Sequence, residues 1–179
     1  HTKFLHSHFG GVQVSGLNLQ PAEDYGHDTQ MRSFQMDPTA QSGWSADWRV
    51  EDRLKLLETE RDIHLRYTDF TQEASAGLAE GWVVVGIYKS SEEIWIPRVV
   101  VRRQNAQDAP PLESTFVGVL EPYEGNRFIG SIRRLPVQTP EGTAVGGTHT
   151  ALLLELADGR RDIVIVRDRL DAAATRVAV

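Results

Sequence analysis

Alternation of apolar and polar residues is the feature that most constrains the fold of this chain. Leu54, Leu56, Ile63, Leu65 and Tyr67 are separated by charged or polar residues, which is the two-residue period of a sheet with one face in water. No window of about 12 residues carries the 3.6-residue period of an amphipathic helix. The sequence therefore predicts an all-β fold with little or no helix.

Three further segments predict strands. Residues 81–88 and 94–101 are rich in Trp, Val and Ile, which favours buried strands. Because Pro97 lacks a backbone N–H group, the second segment is expected to be an edge strand or to begin at the proline. Residues 114–120 predict another strand, which is expected to end at the Glu121-Pro pair.

The strongest local signal is a hairpin near the end of the chain. Asp158 and Gly159 lie between two apolar runs, 150–156 and 162–166, and both residue types tolerate positive φ in a tight turn. Turn residues also recur every 8–12 residues or so, which is typical of an antiparallel β-sandwich. The stretch 20–42 has no clear alternation and is expected to be a long loop.

Composition excludes several classes of function. The 179 residues include 19 Lys and Arg against 25 Asp and Glu, a net charge of −6, so nucleic acid is not an expected partner. With no cysteine, thiol catalysis and cysteine-bound zinc are excluded. The longest apolar run, 82–88, is shorter than the roughly 18 residues that span a bilayer, so no membrane partner is expected. The chain begins without Met, which indicates a removed leader or a piece of a longer protein.

Histidines near the start are the first candidate site residues. His6 and His8 would point to one side of an extended strand, as half of a metal site or as one base and one substrate contact. The alternative is that both are ordinary strand residues that are hydrogen-bonded or solvated. A third hypothesis gives the free amino group and ring of His1 to copper, as in oxidative polysaccharide-cleaving enzymes.

Aromatic and basic residues supply the other candidates. Trp44 and Trp48 share a strand face, where they would form a sugar-stacking platform if exposed and core if buried. Arg32 lies in the irregular stretch with His27 and Asp28, so it is a candidate for a groove lining or a solvated loop residue.

Arginines away from the late hairpin form two dense clusters that are candidates for binding an anionic polymer or for protecting strand edges, namely Arg98, Arg102, Arg103, Arg133 and Arg134. There is no phosphate-binding glycine motif and no GxSxG nucleophile motif. No catalytic residue and no cofactor are predicted, and a structural divalent metal is left open.

Four segments in order resemble the heparinase II/III-like polysaccharide lyases. The run ESTFVGVLEPYEGNRFIGSIRRLPV at 113–137 resembles the carboxy-terminal β-domain of that family. Residues 1–7 resemble a family segment with a His followed by Leu-His-Ser or Leu-His-Gly. Residues 45–50 resemble a strand of the W-x-x-x-W type, and residues 157–162 match the late hairpin.

The resemblance implies a domain organisation. Residues 1–110 would be the latter part of a central β-sandwich and 111–179 the carboxy-terminal β-domain, unless the two form one continuous sandwich. Family members also have an amino-terminal α/α toroid and cleave uronic-acid-containing polysaccharides by β-elimination. Their main catalytic Tyr, Asn and His lie in segments that this sequence does not contain.

The chain is therefore expected to be a non-catalytic part of such a lyase, with no turnover alone. Its expected partners are an acidic polysaccharide and the toroid, and the family resemblance implies a periplasmic or extracellular location. Substrate contacts are predicted at His6, His8, Trp44 and Arg32. The runner-up interpretation is a free-standing carbohydrate-binding module, and the third is a copper-dependent polysaccharide oxygenase using His1.

Overall fold

The structure, a computed structural model, describes residues 2–6, 11–23, 30–52, 55–84, 93–106, 110–145, 149–167 and 176–177. Within these ranges every regular element is a strand, which confirms the all-β prediction. The strands are β1 (Thr2–His6), β2 (Val12–Ser15), β3 (Gln20–Pro21), β4 (Met31–Asp37), β5 (Ser45–Arg49), β6 (Ile63–Asp69), β7 (Ser75–Val84), β8 (Glu93–Arg102), β9 (Gly118–Glu124), β10 (Ile129–Leu135), β11 (Val137–Gln138), β12 (His149–Leu156), β13 (Arg161–Arg167) and β14 (Arg176–Val177).

The strands form two larger and two smaller sheets, and all their pairings are antiparallel. Sheet A has five strands in the order β1-β8-β7-β4-β3, and sheet B has four in the order β2-β5-β6-β9. Sheet C contains β10-β12-β13, and β11 pairs with β14. The arrangement confirms the predicted antiparallel β-sandwich.

The main core lies between sheets A and B. Sheet B contributes Trp44, which directly precedes β5, with Ala46, Trp48 and Tyr67, and sheet A contributes Ala76, Val99 and Val101. These residues alternate along their strands with outward-facing ones, as a half-buried sheet requires. A second cluster on the reverse face of sheet A contains Met31, Phe34, Met36, Ala79 and Val100. Consecutive residues of β8 are therefore buried on both faces, which explains its apolar sequence.

Pro97 does not make β8 an edge strand. β8 lies between β1 and β7 and runs through the proline from Glu93 to Arg102. The described pairing with β1 ends at the His6–Arg98 pair, and Arg98 directly follows Pro97 in the sequence. β8 is therefore neither an edge strand nor a strand that begins at the proline, so the expectation is wrong.

The strand predicted at 114–120 is shifted. β9 begins at Gly118 and continues through Glu121 and Pro122 to Glu124. It is an outer strand of sheet B, and among the described strands it pairs with β6 alone. An edge strand tolerates proline because one row of its backbone groups faces away from the ladder, so the predicted stop at Glu121 is wrong.

The predicted loop 20–42 contains strands. β3 and β4 both lie in it, and β4 pairs with β7 inside sheet A. A bulge interrupts the alternation of β4, since the register shifts between Arg32 and Gln35. The extra residue hides the two-residue period in the sequence, which explains the wrong prediction. The predicted strand alternation at Leu54 and Leu56 also fails, because Leu56 is exposed outside any strand, while Leu54 is outside the described residues.

The late hairpin is confirmed, with a different turn. β12 pairs with β13 from His149 to Arg167, and Gly159 alone of the two central turn residues has positive φ. Leu156 accepts a hydrogen bond from the Gly159 N–H and donates its own N–H to Arg160 O. This geometry is a three-residue loop with glycine at the bulge position rather than a two-residue turn.

The predicted domain boundary after residue 110 falls just before β9. All seven residues of β9 pair with β6, so sheet B draws strands from both sides of the boundary. Arg134 of sheet C also donates a hydrogen bond to the Phe70 carbonyl oxygen, next to β6. These contacts favour the alternative of one continuous sandwich, and the boundary stays a prediction.

Candidate functional site

A polar network covers the outer face of sheet B, with Asp47 at its centre. Asp47 on β5 lies between the core residues Ala46 and Trp48, so strand alternation turns it away from the core. The strand register places His64 of β6 beside Tyr123 of β9 on the same face. Three strands that are distant in sequence thus bring a carboxylate, an imidazole and a phenol together.

The hydrogen bonds of this network are short and well defined. His64 Nδ1 lies 2.7 Å from Asp47 Oδ1, and the Tyr123 hydroxyl donates to Asp47 Oδ2 over 2.7 Å. The His64 and Tyr123 rings stack with centroids 4.9 Å apart. On the other side of the imidazole, Nε2 lies 3.3 Å from Asp62 Oδ1. Both ring nitrogens of His64 therefore face a carboxylate.

Both titratable partners of Asp47 hold their protons more tightly than usual. The hydrogen bond to Asp47 is the main cause that raises the pKa of His64, and the second carboxylate, Asp62, adds to it. Burial raises the pKa of Tyr123 to about 12, reinforced by its hydrogen bond to Asp47. A group that must take a proton from substrate at neutral pH needs a pKa near 7, so the raised pKa of Tyr123 opposes a base role for its hydroxyl.

A groove of about 830 Å³ adjoins the network. Five carboxylates line it, from Asp47, Glu51, Asp52, Glu58 and Glu60. Three positive side chains also line it, those of Arg49, Lys55 and Arg61. Arg61 is also neutralised by a bidentate contact with Glu124, which lies outside this lining. The excess of carboxylates disfavours a polyanion, so the groove does not suit an acidic polysaccharide.

Replacing Asp47 by Asn is expected to lower the pKa of His64, because the change removes the charge-assisted hydrogen bond to Nδ1. The folded pKa exceeds the unfolded value of about 6.5, so this network stabilises the fold fully below that pH. The contribution is lost as the pH rises through the folded pKa of His64. NMR titration of the ring proton measures the pKa, and urea unfolding at several pH values measures the stability.

The matched control is Asp158→Asn, which removes an exposed carboxylate in the β12–β13 turn. This variant should leave the His64 titration unchanged. An unchanged His64 pKa in Asp47→Asn would contradict the assignment of Asp47 as the main cause.

The two tryptophans predicted as a sugar platform belong to the core. Trp44 is 3% exposed and Trp48 is 2% exposed. Trp44 packs edge to face against Tyr67, with ring centroids 5.7 Å apart. Their shared face is real, but it is turned toward sheet A, so Trp44 offers no surface for a sugar ring.

The predicted histidine contacts lie partly outside the described residues. His6 is in β1 and its backbone pairs with Arg98. His8 lies outside the described residues, as do His27 and Asp28 of the irregular stretch. His1, on which the copper hypothesis depends, is outside them too, so that hypothesis stays a prediction.

Two of the arginines that are clustered in the sequence, Arg103 and Arg134, make specific contacts within the fold. Arg133 and Arg134 are consecutive on β10 and so lie on opposite faces of sheet C. Arg134 is partly buried, which lowers its pKa, and it donates to Phe70 O at 2.7 Å. Arg103 donates to Glu113 O and to Glu73 Oε2. These contacts join parts of the fold.

Arg32 has the surroundings of a binding residue. The plane of its guanidinium lies over Trp95, with Cζ 4.0 Å from the ring centroid, and Nε donates to Glu80 Oε2 at 2.8 Å. Trp95 pairs across β7 and β8 with Trp82. The sequence analysis predicts Arg32 as a site residue but neither of these tryptophans. Trp82 and Trp95 are equally far along the chain from the midpoint between β7 and β8, and this symmetry could have indicated that they pair.

The described residues contain no candidate metal site. Among the parts of the chain given above, no group of three or more His, Asp or Glu side chains is arranged to hold a metal ion. In the same ranges, no helix has the length and apolar character needed to cross a membrane.

Comparison with known proteins finds no matching family model, no matching curated protein and no matching solved structure.

Proposed function

We propose that this chain is a non-catalytic β-sandwich portion of a polysaccharide lyase that acts on uronic-acid-containing polysaccharide by β-elimination. Its role is to support one wall of the substrate groove and to contact the polymer, in the periplasm or outside the cell. The resemblance of residues 113–137 to the carboxy-terminal β-domain of heparinase II/III-like lyases supports the lyase assignment. The antiparallel sandwich is the fold that this resemblance implies.

The observation that carries the non-catalytic part of the proposal is the network around Asp47. β-Elimination needs a neutralised substrate carboxylate and a Tyr or His base that removes the C5 proton. His64 has both nitrogens against carboxylates, and the Tyr123 hydroxyl is engaged by Asp47. The hydrogen bonds of both side chains to Asp47 and the raised pKa of Tyr123 support a structural role that joins β5, β6 and β9.

The isolated chain is expected to release no unsaturated uronate from heparan, alginate or chondroitin. The product is followed by its ultraviolet absorbance, with an active lyase of the same substrate as the positive control. A clear rate that is abolished by His6→Ala would overturn the non-catalytic assignment.

The lyase assignment has a separate test in the reading frame. Codons for an α/α toroid are expected immediately upstream of the codon for His1. A reading frame that begins at His1 after a leader alone would favour the second candidate, a free-standing carbohydrate-binding module. The Arg32, Trp82 and Trp95 surface is the observation that supports this second candidate.

A further inference from the structure

The bulge in β4 determines where Arg32 points. Arg32 pairs with Glu80, whereas Gln35 pairs with Leu78, so β4 contains one extra residue between them. Ser33, inside the bulge, has a φ of 56°, which is uncommon for a residue other than glycine. Without the extra residue, Arg32 would lie on the reverse face of sheet A with Met36. Bulges are frequent next to functional sites, where they redirect a side chain.

Two contacts hold the redirected guanidinium. Arg32 Nε donates to Glu80 Oε2 at 2.8 Å, and Cζ lies over the Trp95 ring, 4.0 Å from its centroid. Ser33 Oγ donates to the same Glu80 oxygen at 3.3 Å and so helps to fix the carboxylate. Stacking on an aromatic ring and a single ion pair restrict the rotamers of a long side chain before any ligand arrives.

The outer edge of this guanidinium is unbonded within the part of the chain that the structure describes. The Arg32 side chain is 52% exposed, and its contact to Glu80 uses only Nε. Within the described part of the chain, neither Nη atom of Arg32 has a hydrogen-bond partner. By contrast, Arg61 uses both Nε and Nη2 on Glu124. Arg32 can therefore present its two Nη groups side by side, the geometry that recognises a carboxylate.

An apolar surface adjoins these donors. Trp82 is directly opposite Trp95, and strand alternation places both on the same face of sheet A as Glu80. Both indoles are only partly buried. The core residues Ala76 and Val99 occupy the other end of the same strands, so this face continues beyond the packed core.

We propose that Arg32, Trp82 and Trp95 form a subsite for an acidic sugar, in which the Arg32 Nη groups bind the sugar carboxylate and Trp82 contacts the apolar face of the ring. Trp95 and Glu80 position the guanidinium. The class of ligand, an acidic sugar, rests on the proposed function. The structure adds the residues at which such a sugar would bind. The carboxylate is the recognised group, because charge-assisted paired hydrogen bonds are stronger than those to neutral hydroxyls.

The test is a titration of the whole 179-residue chain with oligosaccharides of alginate, heparan and chondroitin, each beside its carboxyl-reduced counterpart. At least one acidic oligosaccharide is expected to bind, and its carboxyl-reduced form at least about tenfold more weakly, since it lacks the charged acceptor. Arg32→Ala should weaken binding by about tenfold or more, and Arg32→Lys by less, because an ammonium keeps the charge without the fork.

Arg160→Ala is the matched control, since Arg160 is exposed and pairs with Asp162 without a stacked ring. It should bind like the unsubstituted chain. NMR of the four tryptophan indole N–H groups gives a second readout that does not need a variant. Ligand should shift the signals of Trp82 and Trp95 and leave those of the buried Trp44 and Trp48 in place.

The subsite is refuted by any of three results: no acidic oligosaccharide binds, carboxyl reduction has no effect, or folded Arg32→Ala binds like the unsubstituted chain. Failure of the proposed function looks different. If the chain binds acidic sugar through Arg32 but no toroid codons lie upstream, the subsite is supported and the lyase assignment is refuted. If toroid codons lie upstream but binding does not depend on Arg32, the lyase assignment is supported and the subsite is refuted.

Discussion

Replacing Glu121 by Ala is expected to lower the free energy of unfolding by about 3 kcal/mol, because two backbone donors, one buried and one partly buried, lose their acceptor. Glu121 is only 2% exposed. Its Oε1 accepts from the Ile129 N–H at 2.8 Å and from the Phe128 N–H at 3.1 Å. Its Oε2 accepts from Arg127 Nε at 3.0 Å. One side chain of β9 thus fixes the start of β10, and urea unfolding measures the loss.

The control for this prediction is Glu73→Ala. Glu73 also pairs with an arginine, at 2.9 Å from Arg103, but its side chain is 82% exposed. Removal of an exposed ion pair costs about 0–1 kcal/mol. Equal losses in the two variants would show that the buried acceptor role of Glu121 is unimportant. The loss of stability in Glu121→Gln should lie between those of Glu121→Ala and Glu73→Ala, since an amide keeps one acceptor oxygen for the two N–H groups.

The sequence predicts the elements of this fold best where a local signal is strong. The β12–β13 hairpin, predicted from two apolar runs on either side of Asp158 and Gly159, has nearly the predicted bounds. β6 lies within the predicted alternation, but it begins only at Ile63. β4 was missed because its bulge breaks the period between Arg32 and Gln35. The sequence analysis expects an edge strand or a strand start at Pro97 and a strand end at Pro122. Both strands continue through their prolines, and a single sequence does not show which side of a strand lacks a partner.

The candidate sites depend on strand register, which explains why the sequence revealed only parts of them. Tyr123 is 76 residues from Asp47 along the chain, and His64 is 17 residues from it. Each is an ordinary polar residue on its own strand, and only the order β5-β6-β9 brings the three together. A one-residue slip of β6 would turn His64 to the core, so no local pattern could predict this contact.

For Trp44 and Trp48 the local pattern predicts the strand face correctly, but whether that face is core or an exposed surface depends on the rest of the fold. Their spacing correctly predicts a shared face. The choice between core and sugar platform depends on whether a second sheet covers that face, and sheet A covers it. The two partly exposed indoles belong to Trp82 and Trp95 at the far end of sheet A, where the β7–β8 register makes them neighbours.

Replacing Gly77 by Ala is expected to lower the free energy of unfolding by about 3 kcal/mol, the upper end of the usual cost of overpacking. A Cβ atom on Gly77 would lie 2.0 Å from the Gln35 backbone oxygen and 2.8 Å from the Met36 Cα. Both are backbone atoms of β4, so no rotamer change relieves the contact, and β4 and β7 must separate. Urea unfolding of the folded variant measures the cost.

Gly81→Ala is the matched comparison, on the same strand and the same face as Gly77. A Cβ atom there would also be too close to its neighbour, at 1.8 Å from Arg98 Nε. That neighbour is the far part of a flexible side chain, which can move aside, so Gly81→Ala should cost clearly less than Gly77→Ala. Since β4 carries Arg32, separation of β4 from β7 should also weaken acidic-sugar binding in Gly77→Ala. A Gly77→Ala variant as stable as Gly81→Ala would contradict the close approach of β4 and β7 on which the Arg32 geometry depends.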